Sequence, residues 1–413
     1  MKLEKSNARN GWRTVKLGEV CELNPRRPKL DRATSTPTTF VQMSAVAENG
    51  GGIVRPETRP FGQVAKGYTF FAEGDVIFAK ITPCMQNGKH AIASNLLDGI
   101  GFGSTEFHVF RPGGEIISEW ILNFLLQPKI LTEATRHFTG AVGQLRVPEN
   151  VLANMEIALP PKDEQRRLAA RLREQMSEVD RARASVQAQL DAAQNLPAAL
   201  LRAIFTSPAA QRWPKHNLGD LLEDARNGLY KPDQFCGHGT PILKMFNIGR
   251  LNGQWDLTRV DKIEVTVAEQ EQFGLLVGDI MFNRVNSREL VGKCAVVDES
   301  TAGAVFESKN MRLRLKTNVA DPIFVATFLN SHPGRLQIEK RTRQIIGMAT
   351  VNRSDLNSFE IVLPSIQEQR KFVSRLDAEL TVARTLVEML ETRLAEIELL
   401  PAALLRQAFN PPN

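Results

Sequence analysis

LPPKDEQRRLAARL, residues 159–172, and LPSIQEQRKFVSRL, residues 363–376, are two versions of one phrase. Each opens a long charged segment with a thin apolar stripe. The segments close on LPAALLRAIF (196–205) and LPAALLRQAF (400–409). The offset is 204 positions at both ends, so the second segment copies the first without insertion. A repeat of this size sets the architecture before any local reading. It predicts two modules, each carrying one long helix.

The first segment, from about 163 to 195, predicts a helix of ~33 residues and ~50 Å. Its stripe is Leu168, Leu172, Val179, Ala182, Val186, Ala193 and Leu196. The second stripe is Phe372, Leu376, Leu380, Ala383, Val387, Leu390, Leu394 and Ile397. Narrow stripes of this period, flanked by Arg, Glu and Gln, are coiled-coil seams rather than globular core faces. Two such helices in one chain, related by a pseudo-two-fold axis, are expected to pair antiparallel; pairing between chains is the alternative. Pro197 and Pro401 are expected to break each helix, with a short second helix starting there. The pairs Glu164-Gln165 and Glu368-Gln369 place acceptors in the first turn, where the helix dipole favours them.

Working outward, the segments between the helices repeat as well. WRTVKLGEVCEL from Trp12 is echoed by WPKHNLGDLLED from Trp213, and each reads as a short strand and a helical turn. GDVIFAKITP (74–83) matches GDIMFNRVNS (278–287), a half-buried strand entered from a Gly-Asp turn. GKHAIA matches GKCAVV, MEIALP matches FEIVLP, and the loop 139–147 matches 341–356. From Gly74 onward the shift is expected to stay at 204. Glycines and apolar alternation are shared, while the exposed polar residues differ. Duplicated binding domains reading different ligands have this pattern, and so does drift after duplication. The expected domains are 1–158, a helical region 159–205, 206–362, and a second helical region 363–413.

At 413 residues, with 42% hydrophobic and 24% charged content, the chain can bury ordinary cores. The net charge of +6 is compatible with a polyanionic partner without establishing one. The four cysteines, Cys21, Cys84, Cys236 and Cys294, have no CxxC spacing and no shared place in the repeat, which argues against a disulfide framework or a zinc site. No run approaches the ~20 apolar residues of a membrane span. The expectation is a soluble, cytoplasmic protein.

Catalytic constellations are missing from the sequence. Gly88-Lys89 and Gly292-Lys293 lack the upstream glycine of a phosphate-binding loop. The six histidines are scattered, with no HExxH. The terminal NPPN (410–413) lacks the aromatic residue of an amino-methyltransferase signature, and reads as a proline-stopped helix end. No catalytic residue and no metal ligand is assigned.

Two variable modules, each followed by a long helix bearing LPxxxEQRxxxxxL and ending LLRxAF, resemble the specificity subunit of type I restriction–modification systems. The stretch NGLYKPDQFCGHGTPILKMFNIG in the second module adds to the likeness; NPRRPKLDRATSTPTTFVQMSAV in the first is looser. The resemblance implies an α+β chain: two pseudo-symmetric mixed α/β target-recognition domains separated by two long helices that form an antiparallel intramolecular coiled coil. It implies a non-enzymatic reader of a bipartite site in double-stranded DNA. The helices set the spacing and dock two modification methyltransferase subunits acting at adenine N6, and motor-nuclease restriction subunits can join. S-adenosylmethionine, ATP and Mg2+ belong to those partners, and this chain binds no cofactor. A protein-only coiled-coil adaptor and a degenerate self-contained DNA methyltransferase are the competing readings. DNA binding that weakens with salt separates the first of these, and S-adenosylmethionine binding by the chain the second.

Groove reading uses Arg, Lys, Asn and Gln on exposed edges, and phosphate contacts use Lys, Arg and small donors. The first module offers Lys80, Thr82, Gln86, Asn87 and Lys89 after its GDV strand, and Thr139, Gln144 and Arg146 in the glycine-rich loop. The second offers Arg284, Asn286, Ser287, Arg288 and Lys293, then Arg341, Arg343, Gln344, Thr350, Asn352 and Arg353, with Tyr230 and Lys231 as further candidates. Each alone is as readily a solvated surface residue; the loops are the stronger assignment. Arg202 and Arg406, in the LLRxAF segments, are the candidates for subunit docking, and their charge reversal is expected to loosen methyltransferase assembly.

Overall fold

The computed structural model describes residues 12–141, 144–249, 253–345 and 347–410. The chain divides into two compact units, Met1–Val186 with Arg393–Asn413, and Gln187–Thr392. The long helices run Lys162–Phe205 and Ile366–Ala408, so each unit takes the start of one and the end of the other.

In the first unit, the strand Arg13–Lys16 pairs antiparallel with Glu156–Leu159, closing the module directly before its long helix. A four-stranded antiparallel sheet follows the order Cys21–Leu23, Phe107–Pro112, Val76–Ala79, His90–Ile92. A second sheet runs Glu57–Pro60, Pro37–Val41, Ile100–Gly103, Thr69–Ala72. The helix Ser118–Leu125 buries Trp120, Ile121, Phe124 and Leu125 against the first sheet's core. That core also takes Leu168 from the start of the first long helix and Ala408 and Phe409 from the end of the second. The two helices therefore pair antiparallel here. Phe409 lies 4.1 Å from Trp120, ring centroid to centroid.

The second unit repeats the plan. Lys215–Asn217 pairs with Glu360–Val362, and the main sheet runs Leu222–Asn227, Asn310–Leu315, Ile280–Asn283, Cys294–Val296. Its second sheet has three strands, Asp261–Ile263, Cys236–Leu243 and Val305–Phe306. Leu201 and Phe205, ending the first long helix, pack with Phe372, Leu376 and Leu380 at the start of the second. Phe205 meets Phe324, the counterpart of Trp120, at 5.6 Å.

Three sequence expectations change. The helices are 44 and 43 residues long and continue through Pro197 and Pro401, with no second helix after a break. A proline removes one helical hydrogen bond. Here the turns beyond it carry Leu201 and Phe205, or Leu405 and Phe409, each less than a tenth exposed. Burying such a side chain contributes roughly 1.5–3 kcal/mol, which outweighs one lost bond. The first helix's stripe is also displaced: Leu172, Val186, Leu190, Ala193 and Leu201 are buried, whereas Ala182 and Leu196 are exposed. Finally, the shift of 204 is not maintained throughout. Ile77 pairs with Val109 while Met281 pairs with Arg312, so the strands Phe107–Pro112 and Asn310–Leu315 are offset by 203. By Trp120 and Phe324 the offset is again 204.

That slip moves a buried charge into the second unit. Val109, 1% exposed, seals an apolar cluster in the first; Arg312, 4% exposed, takes its place in the second. Arg312 Nη2 donates to Asp224 Oδ2 at 2.5 Å, and Nη1 to the carbonyls of Gln272 and Gly274.

Candidate nucleic-acid interface

Both Gly-Asp turns use one device. Gly74 and Gly278 have φ of 83° and 90°, a left-handed conformation that glycine adopts without strain. The next residue, Asp75 or Asp279, is buried; it accepts a backbone N–H from Ala72 or Leu276 and a two-pronged guanidinium from Arg111 or Arg314. Asp75 raises the pKa of Arg111, and Asp279 that of Arg314. The rigid turn sends the following strand across the sheet, and the polar loop emerges at its far end.

The two loops chosen in each module from sequence come together. In the first, Thr82 N donates to Leu145 O at 3.0 Å and Val147 N to Lys80 O at 3.0 Å. Isolated bridges join Ile81 to Arg146 and Thr139 to Arg146. In the second, the same positions form a three-stranded sheet, Val285–Asn286, Met348–Thr350, Arg343–Ile345. Thr350 stands opposite both Val285 and Arg343. The hairpin and the loop after the GD strand thus make one surface per module.

Side chains divide into held and free. In the first module Gln86, Asn87, Thr139 and Gln144 are exposed, and Lys80, Thr82, Lys89 and Arg146 are partly buried. Thr82 Oγ1 donates to Gln86 Oε1 at 2.8 Å, and Asn87 Nδ2 to Glu48 Oε1 at 2.8 Å. Arg146 grips Glu106 with two bonds of 2.8 Å and donates a third to Gln144 O at 2.7 Å. That pairing holds the Glu106 carboxyl below its usual range. Buried His108 braces the hairpin base: Nε2 donates to Val147 O at 3.0 Å, and Nδ1 accepts from Asn24 Nδ2 at 3.1 Å. Burial lowers its pKa.

In the second module Arg288, Arg343, Arg353 and Tyr230 are exposed. Arg284 is half-buried, and its Nη1 donates to Ser308 O at 3.2 Å. Asn286 Nδ2 donates to Asn283 Oδ1 at 2.7 Å, and the Ser287 amide donates to Asn286 Oδ1. Lys293 Nζ donates to Ile248 O, and Lys231 Nζ is taken by Glu269 and the Glu264 carbonyl. Arg341 binds Ser358, and Asn352 caps the helix Arg353–Asn357. Gln344 stands opposite Ala349 in the hairpin; its side chain lies outside the described residues. Lys231, Lys293, Arg341 and Asn352 thus have structural duties, while Arg288 and Arg353 present charge, and Arg343, also exposed, lies 3.8 Å from Asp355. The sequence reading missed Glu106 and Ser308, which hold the loops from turns distant in sequence, and Asn283, which ends the strand before the loop and is itself bonded to Asn310. Arg202 and Arg406 are both exposed on their helices.

Among the described residues no group of His, Cys, Asp and Glu is arranged to hold a metal ion. Among the described residues no helix is long and apolar enough to cross a membrane.

Residues 9–182 match the family model of the type I restriction modification DNA specificity domain. The specificity subunit of the type I restriction enzyme EcoEI from Escherichia coli is 35% identical over 202 residues, 49% of this chain and 34% of that protein. The EcoAI specificity subunit, also from Escherichia coli, is 36% identical over 212 residues, 50% of this chain and 36% of that protein. The chain thus spans about a third of the length of these relatives. The crystal structure of the HsdS subunit from Thermoanaerobacter tengcongensis is similar with a TM-score of 0.69 at 25% identity, covering 97% of each chain. Two modules of one plan, two long helices paired end against start, and these likenesses agree: the chain resembles the specificity subunits of type I restriction–modification systems, with the family match lying over residues 9–182.

Proposed function

We propose that this chain is a non-catalytic, sequence-reading DNA subunit whose modules each recognise one half of a bipartite duplex site. The observation that carries this is the recurrence of one loop-plus-hairpin surface in both modules with different side chains on it. The first presents Gln86, Asn87, Thr139 and Gln144; the second presents Arg288, Arg343 and Arg353. A common scaffold with exchanged donors and acceptors is what reading two different base sequences requires. Two half-sites on one chain gain affinity by effective concentration when their spacing on DNA matches the reader.

In this reading the long helices act as spacer and dock two adenine-N6 methyltransferase subunits, with Arg202 and Arg406 at the contact; motor-nuclease restriction subunits can join through them. S-adenosylmethionine, ATP and Mg2+ serve chemistry in those partners, in the cytoplasm. The relatives it resembles are specificity subunits, which supports a reading role. The test is to exchange residues 206–362 for the second module of another family member and map methylated adenines by single-molecule sequencing. One half of the recognised sequence is expected to change and the other to stay. A change in both halves, or in neither, rejects modular reading.

A further inference from the structure

Tyr230 is 86% exposed, the most exposed large apolar side chain among the described residues. Its backbone is held firmly. Gly228 lies so close to the following loop that a Cβ there would sit 2.3 Å from Glu307 O and 2.4 Å from Phe306 O. Leu229 is buried, its N–H donates to Phe306 O at 2.8 Å, and its carbonyl accepts from Ser308 N at 2.9 Å. On the other side Lys231 Nζ is fixed by Glu264 O and Glu269 Oε2 at 2.8 and 2.7 Å, above the Phe235 ring. A tyrosine has only two side-chain torsions to order, so a ring on such a base binds with little entropic loss.

The base belongs to the second module's reading surface. Ser308, which bonds Leu229, accepts from Arg284 Nη1, and Lys309 O accepts the Arg284 amide at 3.0 Å. Arg284 leads straight into Val285–Asn286, the strand beside the hairpin. The backbone that carries the ring is thus bonded to the segment 307–309 that also holds Arg284 and the start of the reading loop. The other tyrosine, Tyr68, packs edge-on against Phe40 at 4.7 Å; Tyr230 has no such ring partner among the described residues. In the first module the chain leaving Cys21–Leu23, residues 24–32, contains no aromatic side chain.

We propose that Tyr230 is a base-stacking residue: its ring wedges against the face of a nucleobase partly unstacked from its neighbour in the duplex, at the half-site read by the second module and at that half-site alone. The inference rests on the DNA-reading role proposed above. Aromatic rings stack on any base, so Tyr230 supplies affinity and registers the strand while the neighbouring polar groups choose the sequence.

The experiment uses the full-length chain and a randomised duplex library to select a preferred sequence. The selected duplex is then titrated with wild type, Tyr230→Phe and Tyr230→Ala, with 2-aminopurine placed in turn through each half-site. Tyr230→Phe is expected to bind as wild type. Tyr230→Ala is expected to bind about 5- to 150-fold more weakly. The emission change at one position of the second half-site is expected to vanish in Tyr230→Ala only. Unaltered affinity and emission in Tyr230→Ala, or equal losses at both half-sites, overturn base stacking. So does loss of a co-purifying protein with DNA binding intact, which makes the ring a protein contact. If wild type selects no sequence, the DNA-reading role itself fails; if it selects one and Tyr230→Ala is silent, only this inference does.

Discussion

The Ile117 amide donates to the side-chain carbonyl of Gln165 at 3.1 Å, and the Asp321 amide donates to Gln369 in the same way at 2.8 Å. The amide nitrogen of each glutamine donates to two further carbonyls, Glu115 and Pro160 in one unit, Val319 and Pro364 in the other. The Gln of the repeated EQR phrase is therefore a buried bracket that fastens each long helix to its own module. Gln165→Leu or Gln369→Leu strands three backbone groups and is expected to cost about 3 kcal/mol. Urea unfolding followed by circular dichroism checks it, and a change below about 0.5 kcal/mol, the size of an ordinary surface substitution, contradicts the bracket.

The buried Arg312–Asp224 pair predicts an order of effects. Asp224→Ala leaves a guanidinium that is 4% exposed without its carboxylate, a loss of about 3–5 kcal/mol. Arg312→Val installs the residue the first module uses at this place. It leaves Asp224, about a third exposed, in contact with water, and is expected to be the milder change. Melting temperatures in the reverse order remove the argument.

His90 is fully buried and stacked on Phe78 at 3.9 Å, with neither ring nitrogen in hydrogen-bond geometry. Burial pushes its pKa down to about 3, only partly opposed by the nearby backbone of Lys89 and Met85. The unfolded chain takes up this proton near pH 6.5, the folded chain only near 3. Its contribution is therefore complete above about pH 6.5 and declines as pH falls, by about 1.4 kcal/mol per unit. Between pH 6.5 and 5 the protein is expected to lose about 2 kcal/mol through this residue. His90→Phe is expected to flatten that dependence in pH-resolved melts, leaving the smaller slope from His108, whose pKa is lowered in the same direction.

Much of this was legible in the sequence, and what was not has a physical cause. Leu376, Ala383, Leu390 and Ile397 are buried at seven-residue spacing, as the second helix's stripe indicates. The first helix is rich in alanine and glutamine, so two registers compete on paper, and burial of Leu190 rather than Ala182 decides between them. The polar loops were legible as local features following Gly-Asp strands. Their meeting was not, because Ile81 and Arg146, or Val285 and Thr350, are joined by pairing between distant segments. The one-residue slip at Arg312 was hidden because its effect is reversed before Phe324.

Arg288 is exposed and flanks the strand Val285–Asn286, whereas Arg284 is half-buried against Ser308. Under the proposed DNA role, Arg288 fits a phosphate contact. Arg288→Ala is expected to weaken selected and unrelated duplexes alike and to lower the slope of log K against log salt by about 1. Arg284→Ala with Arg288→Ala is expected to weaken the second half-site as well. Anisotropy titrations at several salt concentrations separate the two, and an unchanged footprint and affinity for the double variant remove this loop from the interface.

Glu106 and Arg146 give a last prediction, because their two-pronged pair ties the first module's hairpin to the strand Phe107–Pro112. Arg146 spends three donors inside the protein, so its part is to position Gln144 and Thr139 rather than to read a base. Glu106→Ala releases the guanidinium and the hairpin together. Under the proposed DNA role, discrimination at the first half-site is expected to relax, with binding retained through nonspecific phosphate attraction and the second half-site unaltered. Exchanging the pair, Glu106→Arg with Arg146→Glu, is expected to restore discrimination in part, since the opposite charges meet again. A direct base contact from Arg146 predicts otherwise: Arg146→Ala would then be the damaging change, Glu106→Ala would be tolerated, and the exchange would rescue nothing. Single-molecule methylation maps of the three variants beside wild type decide between these outcomes.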